Sequence, residues 1–557
     1  MGAKEYSDEK MVGNGHDLNL EASQPPMVEN VEYNLAAQHD QLERGLESRH
    51  IQFLALGGAI GTGLFVGSGV ILRDAGPAPL FMAYLSMMLI VWVVMNNLAE
   101  MVTYLPMRGI TVPYFIERFL DPSLAFAAGW NYWYAYAILV AAEANAAAFV
   151  IDYWKVNVSV GVWIAIILIV ILFLNIIAVR FFGEAEFWFA SIKLITIIGL
   201  IILGIVIFFG GGPNQGHQVR GFYYWKTPGA FVGFHGIGGD KGRFLSYWYA
   251  FIKAGFAFIT SPELIAIAAG ETVAPRRNIP KAARRFVARL AIFYGCASLV
   301  IGILVAYDDP ILLSAIKSGE SGAAASPFVI GIQNVGINVL DHIINAAILT
   351  SAWSAGNSFL YSGSRILYSM SINGQAPTFF SKTNRFGLPW VAVLFTWLPG
   401  LLAFLNLSAS STEVFNWLSS LTTISGYIAW IIIMFTYLRF RKAMIYNGLL
   451  SELPYKTALQ PYATYVAVFV VTVLTITNGF ASFLGEFDYK AFLTSYITIP
   501  LFLIFYITHK VFFRTRLIIP IHEIDCITGK KEMDEMEARE RPRVAKNMLQ
   551  KIWYWIA

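Results

Sequence analysis

Apolar runs long enough to cross a bilayer recur along nearly the whole chain, separated by short polar stretches rich in Lys and Arg. A spanning helix needs roughly 20 mostly apolar residues. On that measure the pattern predicts twelve spans: 51–72, 79–100, 124–150, 160–179, 187–209, 246–269, 288–307, 330–362, 390–406, 413–438, 461–484 and 490–512. The expected fold class is therefore an all-α polytopic membrane protein. The eighth span is long enough to tilt or to extend past the bilayer.

Composition sharpens this picture. The chain is 57% hydrophobic and 14% charged, whereas a soluble domain carries about 25% charged residues. Fifteen Trp and 27 Tyr suit aromatic belts at the two membrane surfaces. Outside the membrane domain of 51–512, residues 1–50 are polar and acidic and read as a disordered tail without a cleavable signal peptide. Lys4 and Lys10 are there for trafficking or ubiquitination machinery, or are plain solvated residues. The tail 513–557 mixes charges and ends Lys551-Ile552-Trp553-Tyr554-Trp555-Ile556-Ala557. It reads as an inner-leaflet or sorting element, or equally as a flexible end.

Orientation follows from basic residues at span ends. The loop after span six carries Arg276, Arg277, Lys281, Arg284, Arg285 and Arg289. The loop after span eight carries Arg365, Lys382 and Arg385, and the loop after span ten Arg439, Arg441, Lys442 and Lys456. These loops share one side, so both termini are expected in the cytoplasm and the Gly-rich, aromatic loop 210–245 outside. Two cysteines, Cys296 and Cys526, cannot build a disulfide framework. No basic and aromatic block points to nucleic acid. There is no Walker A motif, no His-Glu-x-x-His, no cysteine cluster and no metal-ligand spacing among the histidines. Neither an enzyme nor a cofactor or metal site is expected.

Two spans are interrupted. The first holds Gly57, Gly58, Gly61, Gly63, Gly67 and Gly69, each weakening a helix by about 1 kcal/mol relative to Ala. Unwinding at Gly61-Thr62-Gly63 would free N–H groups at the start of the outer half-helix, where the dipole also favours a carboxylate. The alternative is close packing through small-xxx-small pairs. The sixth span holds Lys253 through Leu264, in which Pro262 removes a donor and disfavours helix at Ser261. Carbonyls of Phe256, Ala257, Phe258, Ile259 and Thr260 would then accept from an ammonium, with Phe256 and Phe258 walling the pocket or facing lipid instead. Non-helical backbone at membrane depth survives only where protein or a wet cavity surrounds it. Broken helices in corresponding positions of two halves mark a transporter's central site.

Few charges lie at depth. Glu263 follows the second break, and Glu143 and Asn145 lie midway along span three. Each is a candidate for substrate or proton contact, or for an interhelical hydrogen bond. Lys193 in span five is a candidate proton carrier or a snorkelling lysine. Lys253 reads as snorkelling towards the outer surface, Glu100 as interfacial. Trp353, Asn357 and Arg365 in span eight are candidates for packing, polar lining and an inner gate. Without an ATP motif, uptake needs a gradient. Two pH units together with ~100 mV supply roughly 5 kcal/mol, enough for more than thousandfold accumulation.

Several segments resemble the fungal amino acid permease branch of the amino acid/polyamine/organocation superfamily. They are Gly45-Leu46-Glu47-Ser48-Arg49-His50 through Gly69, Gly129-Trp130-Asn131-Tyr132-Trp133, and Gly183-Glu184-Ala185-Glu186-Phe187-Trp188 through Lys193. Phe256 through Glu271, Pro275 through Ala282, and Ser351 through Arg365 continue the series. The resemblance covers about 44–515. It implies a LeuT-like fold, with spans one to five and six to ten as inverted repeats and two further spans. It also implies proton-coupled uptake at the plasma membrane, with Lys193 in the place of a sodium ion. The family's sixth span has Gly-Thr or Gly-Ser before the Glu. Here Ser261-Pro262 stands there, which resembles fungal proline permeases, as does Ser326 through Asn334. Proline is the expected substrate. A broad-range neutral amino acid or 4-aminobutyrate permease is the alternative. A non-transporting sensor is a further one, although sensors of this fold have much longer tails.

Overall fold

The computed structural model describes residues 61–105, 111–154, 157–177, 179–259, 261–263, 275–317, 326–337, 339–384, 387–408 and 411–539, together with Asn547. The expected tail 1–50, the stretch 51–60 of span one, Thr260, residues 264–269 of span six and most of 540–557 lie outside the described residues. Every regular element among those described is helical.

In chain order the helices are α1 (Ser68–Ala75), α2 (Pro77–Tyr104), α3 (Val112–Phe119), α4 (Pro122–Ile151), α5 (Val160–Ile177) and α6 (Val179–Phe208). The second series is α7 (Gly239–Ala254), α8 (Pro275–Leu290), α9 (Cys296–Leu304), α10 (Pro310–Lys317), α11 (Pro327–Val335) and α12 (Leu340–Ile372). The last are α13 (Trp390–Trp397), α14 (Ser411–Tyr446), α15 (Tyr462–Ile476), α16 (Tyr489–Tyr496), α17 (Thr498–Phe513) and α18 (Lys530–Arg539). Seven stretches of described residues are long and apolar enough to cross a membrane: Pro77–Tyr104, Trp188–Gln215, Arg276–Leu304, Trp390–Leu407, Glu413–Tyr446, Tyr462–Phe483 and Tyr489–Phe513. The other expected spans are interrupted, shorter, as at Val160–Ile176, or richer in polar residues, as in α12.

The eighth span differs from its expected bounds of 330–362. Gly336 stands at φ 77° and Val339 at φ 74°, and the left-handed backbone ends one helix there. Residues 327–335 form the separate α11, and the long helix runs on to Ile372.

The helices sort into two groups. α1, α2, α7, α8 and α9 pack among themselves around α2, while α4, α5, α12 and α13 pack among themselves around α4. α6 touches both groups through α12 and α9, and α14 touches both through α4 and α2. Buried polar pairs stitch the helices together. Asn131 Nδ2 donates to the Ser425 carbonyl at 3.0 Å, and Ser425 Oγ returns a bond to Asn131 Oδ1 at 2.8 Å. Such interhelical bonds average about 0.6 kcal/mol in a membrane and reach roughly 1.7. The outer surfaces of α6 and α17 are apolar, with Ile195, Ile202, Leu503, Ile504, Val511 and Phe512 exposed. In water such patches aggregate, while in lipid they are the solvent-facing surface.

At one end the loop 210–238 lies across the helix tips rather than forming a separate domain. Ala78 N–H donates to the Ala230 carbonyl at 3.0 Å, and Val232 N–H to the Ala75 carbonyl at 2.9 Å. Gly76 (φ 97°) turns between α1 and α2 where a Cβ would meet the Ala230 oxygen at 2.8 Å, so only glycine fits.

At the opposite, basic end, the first part of the expected tail is strapped down. Arg118 on α3 donates to the carbonyls of Asp525 and Thr528 at 2.8 and 2.9 Å. Tyr104 Oη donates to the Cys526 carbonyl at 2.9 Å. Arg276 holds Asp534 and Glu537 at 2.5 and 2.9 Å. Ile524 and Cys526 are buried. The strap thereby ties α18 to α3 and to the starts of both α8 and the loop after α2. Glu100, expected at an interface, is fully buried near this end. It accepts from Tyr437 Oη and the Thr457 N–H, each at 2.7 Å, with Arg441 at 3.5 Å.

Candidate functional site

Both breaks are visible from their outer sides, and they touch. Gly61 is a bend, helical backbone begins at Thr62, and Gly63–Gly67 form a turn of π-helix before α1. Such wide turns concentrate at functional sites. Across from it, α7 ends at Ala254, Gly255–Ala257 tighten into a 3₁₀ turn, and Phe258 and Ile259 leave the helix. Helical backbone resumes at Ser261–Glu263. A Cβ on Gly63 would lie 2.7 Å from Ala257 Cα. The two irregular segments are thus in main-chain contact, which a side chain at Gly63 would forbid.

Tyrosines hold the loosened backbone. Tyr84 Oη donates to the Gly63 carbonyl at 3.1 Å, Tyr294 Oη to that of Ala257 at 3.0 Å, and Tyr427 Oη to that of Ile252 at 2.9 Å. The first two reach main-chain oxygens at the irregular turns themselves; the Ile252 oxygen, still inside α7, also accepts from the Gly255 N–H. None of the three was singled out in the sequence, because an isolated tyrosine in an apolar run carries no local signal. Phe258 is fully buried between Tyr84 and Tyr294, with ring centres 5.7 and 4.5 Å away. It braces the tyrosines, and faces neither lipid nor an open pocket. Ile259 is buried against Gly426.

Glu143 reaches the first break directly. Thr62 Oγ1 donates to Glu143 Oε1 at 3.0 Å. A Cβ on Gly61 would sit 3.3 Å from the same oxygen. Glu143 Oε2 has no hydrogen-bond partner among the described residues. Asn145 does not join this cluster. Residues two apart on a helix point about 200° apart, and Asn145 instead accepts from Asn406 Nδ2 at 2.8 Å. Lys193 on α6 is buried, with the carboxylates of Glu143 and Glu186 the nearby charges. It does not snorkel. Glu263 is buried with Tyr132 and Trp430 turned towards its carboxylate. It lies past the second break, in a patch separate from Glu143.

Span eight contributes polar lining. Asn175 Nδ2 on α5 donates to Asn357 Oδ1 at 2.8 Å. Trp353 stacks against Phe189 at 6.3 Å. Arg365 lies 4.4 Å from the Tyr361 ring centre.

Above the breaks, on the side of loop 210–238, is a vestibule with ≈ 410 Å³ of empty space including its mouth. It is lined by Gly67, Ile71, Lys253, Phe256, Phe415 and Ser420, among others. Phe256 is half-buried and edge-on to Phe415 at 5.4 Å. Lys253 does not snorkel to the surface, but donates to Ser420 Oγ at 3.1 Å inside this wall.

Two facing main-chain segments, a buried carboxylate at one of them and an aromatic pair above suit a small zwitterion. Residues 50–518 match the model of the family described as "Amino acid permease". A proline-specific permease of Emericella nidulans is 55% identical over 520 residues, covering 93% of this chain and 94% of that protein. A proline-specific permease of Saccharomyces cerevisiae is 48% identical, covering 89% and 80%. Among solved structures, a manganese transporter of Eremococcus coleocola superimposes with a TM-score of 0.51 over 89% of this chain and 99% of its own, at 15% identity. That likeness speaks to the fold alone. With the family model matched over residues 50–518 and relatives 55% and 48% identical over most of their length, the chain belongs to the amino acid permease family.

Proposed function

We propose that this permease takes up L-proline with protons across the plasma membrane, by alternating access in a twelve-span LeuT-like fold with both termini cytoplasmic. The observation that carries the reading is the contact between the two breaks at Gly63 and Ala257. In this reading, N–H groups around Gly61-Thr62-Gly63 form one polar face of the site and carbonyls around Phe256 and Ala257 the other. The first suits a carboxylate, the second a secondary ammonium with two hydrogens to give. Phe256 with Phe415 closes the vestibule side. The two packing groups of helices supply bodies that rock against each other, with the breaks as their joint. Lys193, with Glu143 or Glu263, links the proton to that movement: Glu143 touches both Thr62 and the surroundings of Lys193. Proline is favoured by the names of the relatives and by Ser261-Pro262 in the second break.

The test is labelled proline uptake in a cell lacking its own proline carriers, with the nineteen other amino acids as competitors and a protonophore as control. Saturable uptake that only close proline analogues compete with, and that collapses with the proton gradient, is expected. Uptake indifferent to the protonophore refutes proton coupling. Equal competition by several neutral amino acids refutes the specificity.

A further inference from the structure

Glu186 is a buried acid for which the reading above has no use. It lies on α6 seven residues before Lys193. Seven residues turn a helix by two revolutions less about 20° and advance it by roughly 10 Å, so both side chains share one face. The Lys193 side chain leans towards the helix N-terminus, where Glu186 stands. Glu186 is 1% exposed. Ser354 Oγ on α12 donates to both of its oxygens, at 2.8 and 2.9 Å. Ser358, one turn further along α12, faces the same carboxylate. Ser362, a further turn on, buries a hydroxyl with no partner among the described residues.

We propose that Glu186 is the inner proton acceptor of Lys193, resting on the proton-coupled reading above. Lys193 then stands between two carboxylates with different allegiances. Glu143 is tied to Thr62 at the first break and therefore senses substrate. Glu186 is tied to Ser354 on a helix of the other packing group and does not. In the transfer, an N–H bond of the Lys193 ammonium breaks, its electron pair stays on Nζ, and an O–H bond forms on Glu186. The carboxyl then releases the proton to water along the Ser354, Ser358 and Ser362 face, which runs towards the basic end. Buried hydroxyls without partners are where ordered water is expected. Among the described residues the groups facing Glu186 are Lys193 on its own helix and Ser354 and Ser358 on α12. Glu143 acts on it through Lys193, and α5 and α9, also packed on α6, bring no charged residue.

The experiment places the full-length protein in proline-carrier-deficient cells and in vesicles containing a pH dye. Labelled-proline counterflow, net accumulation and proline-dependent proton entry are measured. Glu186→Gln is expected to keep counterflow, to lose proton entry and to bring accumulation down to about one, the value of an uncoupled carrier. Glu186→Asp is expected to restore part of both. Ser354→Ala, which keeps the acid but removes its donor, is expected to displace the pH profile of accumulation. Coupled accumulation by Glu186→Gln at the wild-type level overturns the inference. Should that variant fail to reach the membrane, an unchanged pH profile in Ser354→Ala overturns it instead. If the wild type moves no proton with proline, the coupled reading itself fails. If the wild type and Glu186→Gln move protons equally, only the role of Glu186 does.

Discussion

Gly63→Ala is the sharpest perturbation of the joint between the two breaks. The new methyl would lie 2.7 Å from Ala257 Cα, 3.0 Å from its Cβ and 3.2 Å from its N. Ordinary contact begins near 3.4 Å, so the segments must part by about 0.7 Å or more. Overpacking of this kind costs about 1–3 kcal/mol. If that cost falls on the substrate-bound form, in which the segments close on a small ligand, proline affinity drops roughly 5- to 150-fold. Ala257→Gly should not rescue it, because two of the three clashes are with the main chain. Gly67→Ala, one turn outward on the same helix, is the control, since nothing lies within 4 Å of its Cβ. The assay is the concentration dependence of labelled proline uptake, normalised to surface-labelled protein. A raised KM for Gly63→Ala beside a near-normal Gly67→Ala is expected. Wild-type KM and maximal rate in Gly63→Ala would refute the contact between the breaks.

Four further expectations follow from other parts of the structure. Thr62→Val removes the donor to the buried Glu143 and leaves that acid short of a partner, a loss of about 1–3 kcal/mol; uptake should fall at least several-fold while Thr62→Ser retains it. Asn131→Ala breaks the reciprocal pair with Ser425 between α4 and α14 and should lower the unfolding temperature in detergent, by an amount set by roughly 1–2 kcal/mol, with KM little changed. Arg276→Ala frees α18 from one end of its strap; because Asp534 and Glu537 are half exposed, the cost is about 1 kcal/mol or less, seen as faster hydrogen exchange in 519–539. Asp525 in the same strap is partly buried, which alone would raise its pKa, but hydrogen bonds from Thr528 and the Ile527 N–H and the Arg118 charge bring it below the usual carboxylate value. Its contribution is therefore complete above about pH 4 and fades as the pH falls through the depressed value, so acid-dependent exchange in the strap should disappear in Asp525→Asn.

Much of the architecture was legible because lipid makes a one-dimensional demand. A run such as 79–100 must become a helix to satisfy its own backbone, and α2 is that helix. Punctuation was legible in part: Pro262 stands just past the point where the sixth span leaves the helix at Phe258 and Ile259, while the described glycines of the first span widen the helix into a π-turn at Gly63–Gly67 rather than unwinding it at Thr62. The bounds of span eight were misread because Gly336 and Val339 turn the chain within a stretch whose polar residues, Gln333, Asn334, Asn338, Asp341 and His342, mark the break between α11 and α12. Among the candidate residues, Glu143 and Asn145 looked equivalent two positions apart. Helix geometry alone was enough to separate them, but not to say which one faced Thr62.

Composition, the repeated apolar runs and their basic flanks determined by themselves that this chain folds into membrane helices, two of them interrupted, because those properties depend only on neighbours along the chain. Tertiary structure alone decided that Gly63 meets Ala257, that Tyr84, Tyr294 and Tyr427 hold the open backbone, that Glu186 shares Lys193 with Glu143, and that the strap folds back on the basic end. These depend on how helices distant in sequence rotate and pack against one another, and in lipid that rotation is set by shape fit and buried polar pairs rather than by hydrophobicity.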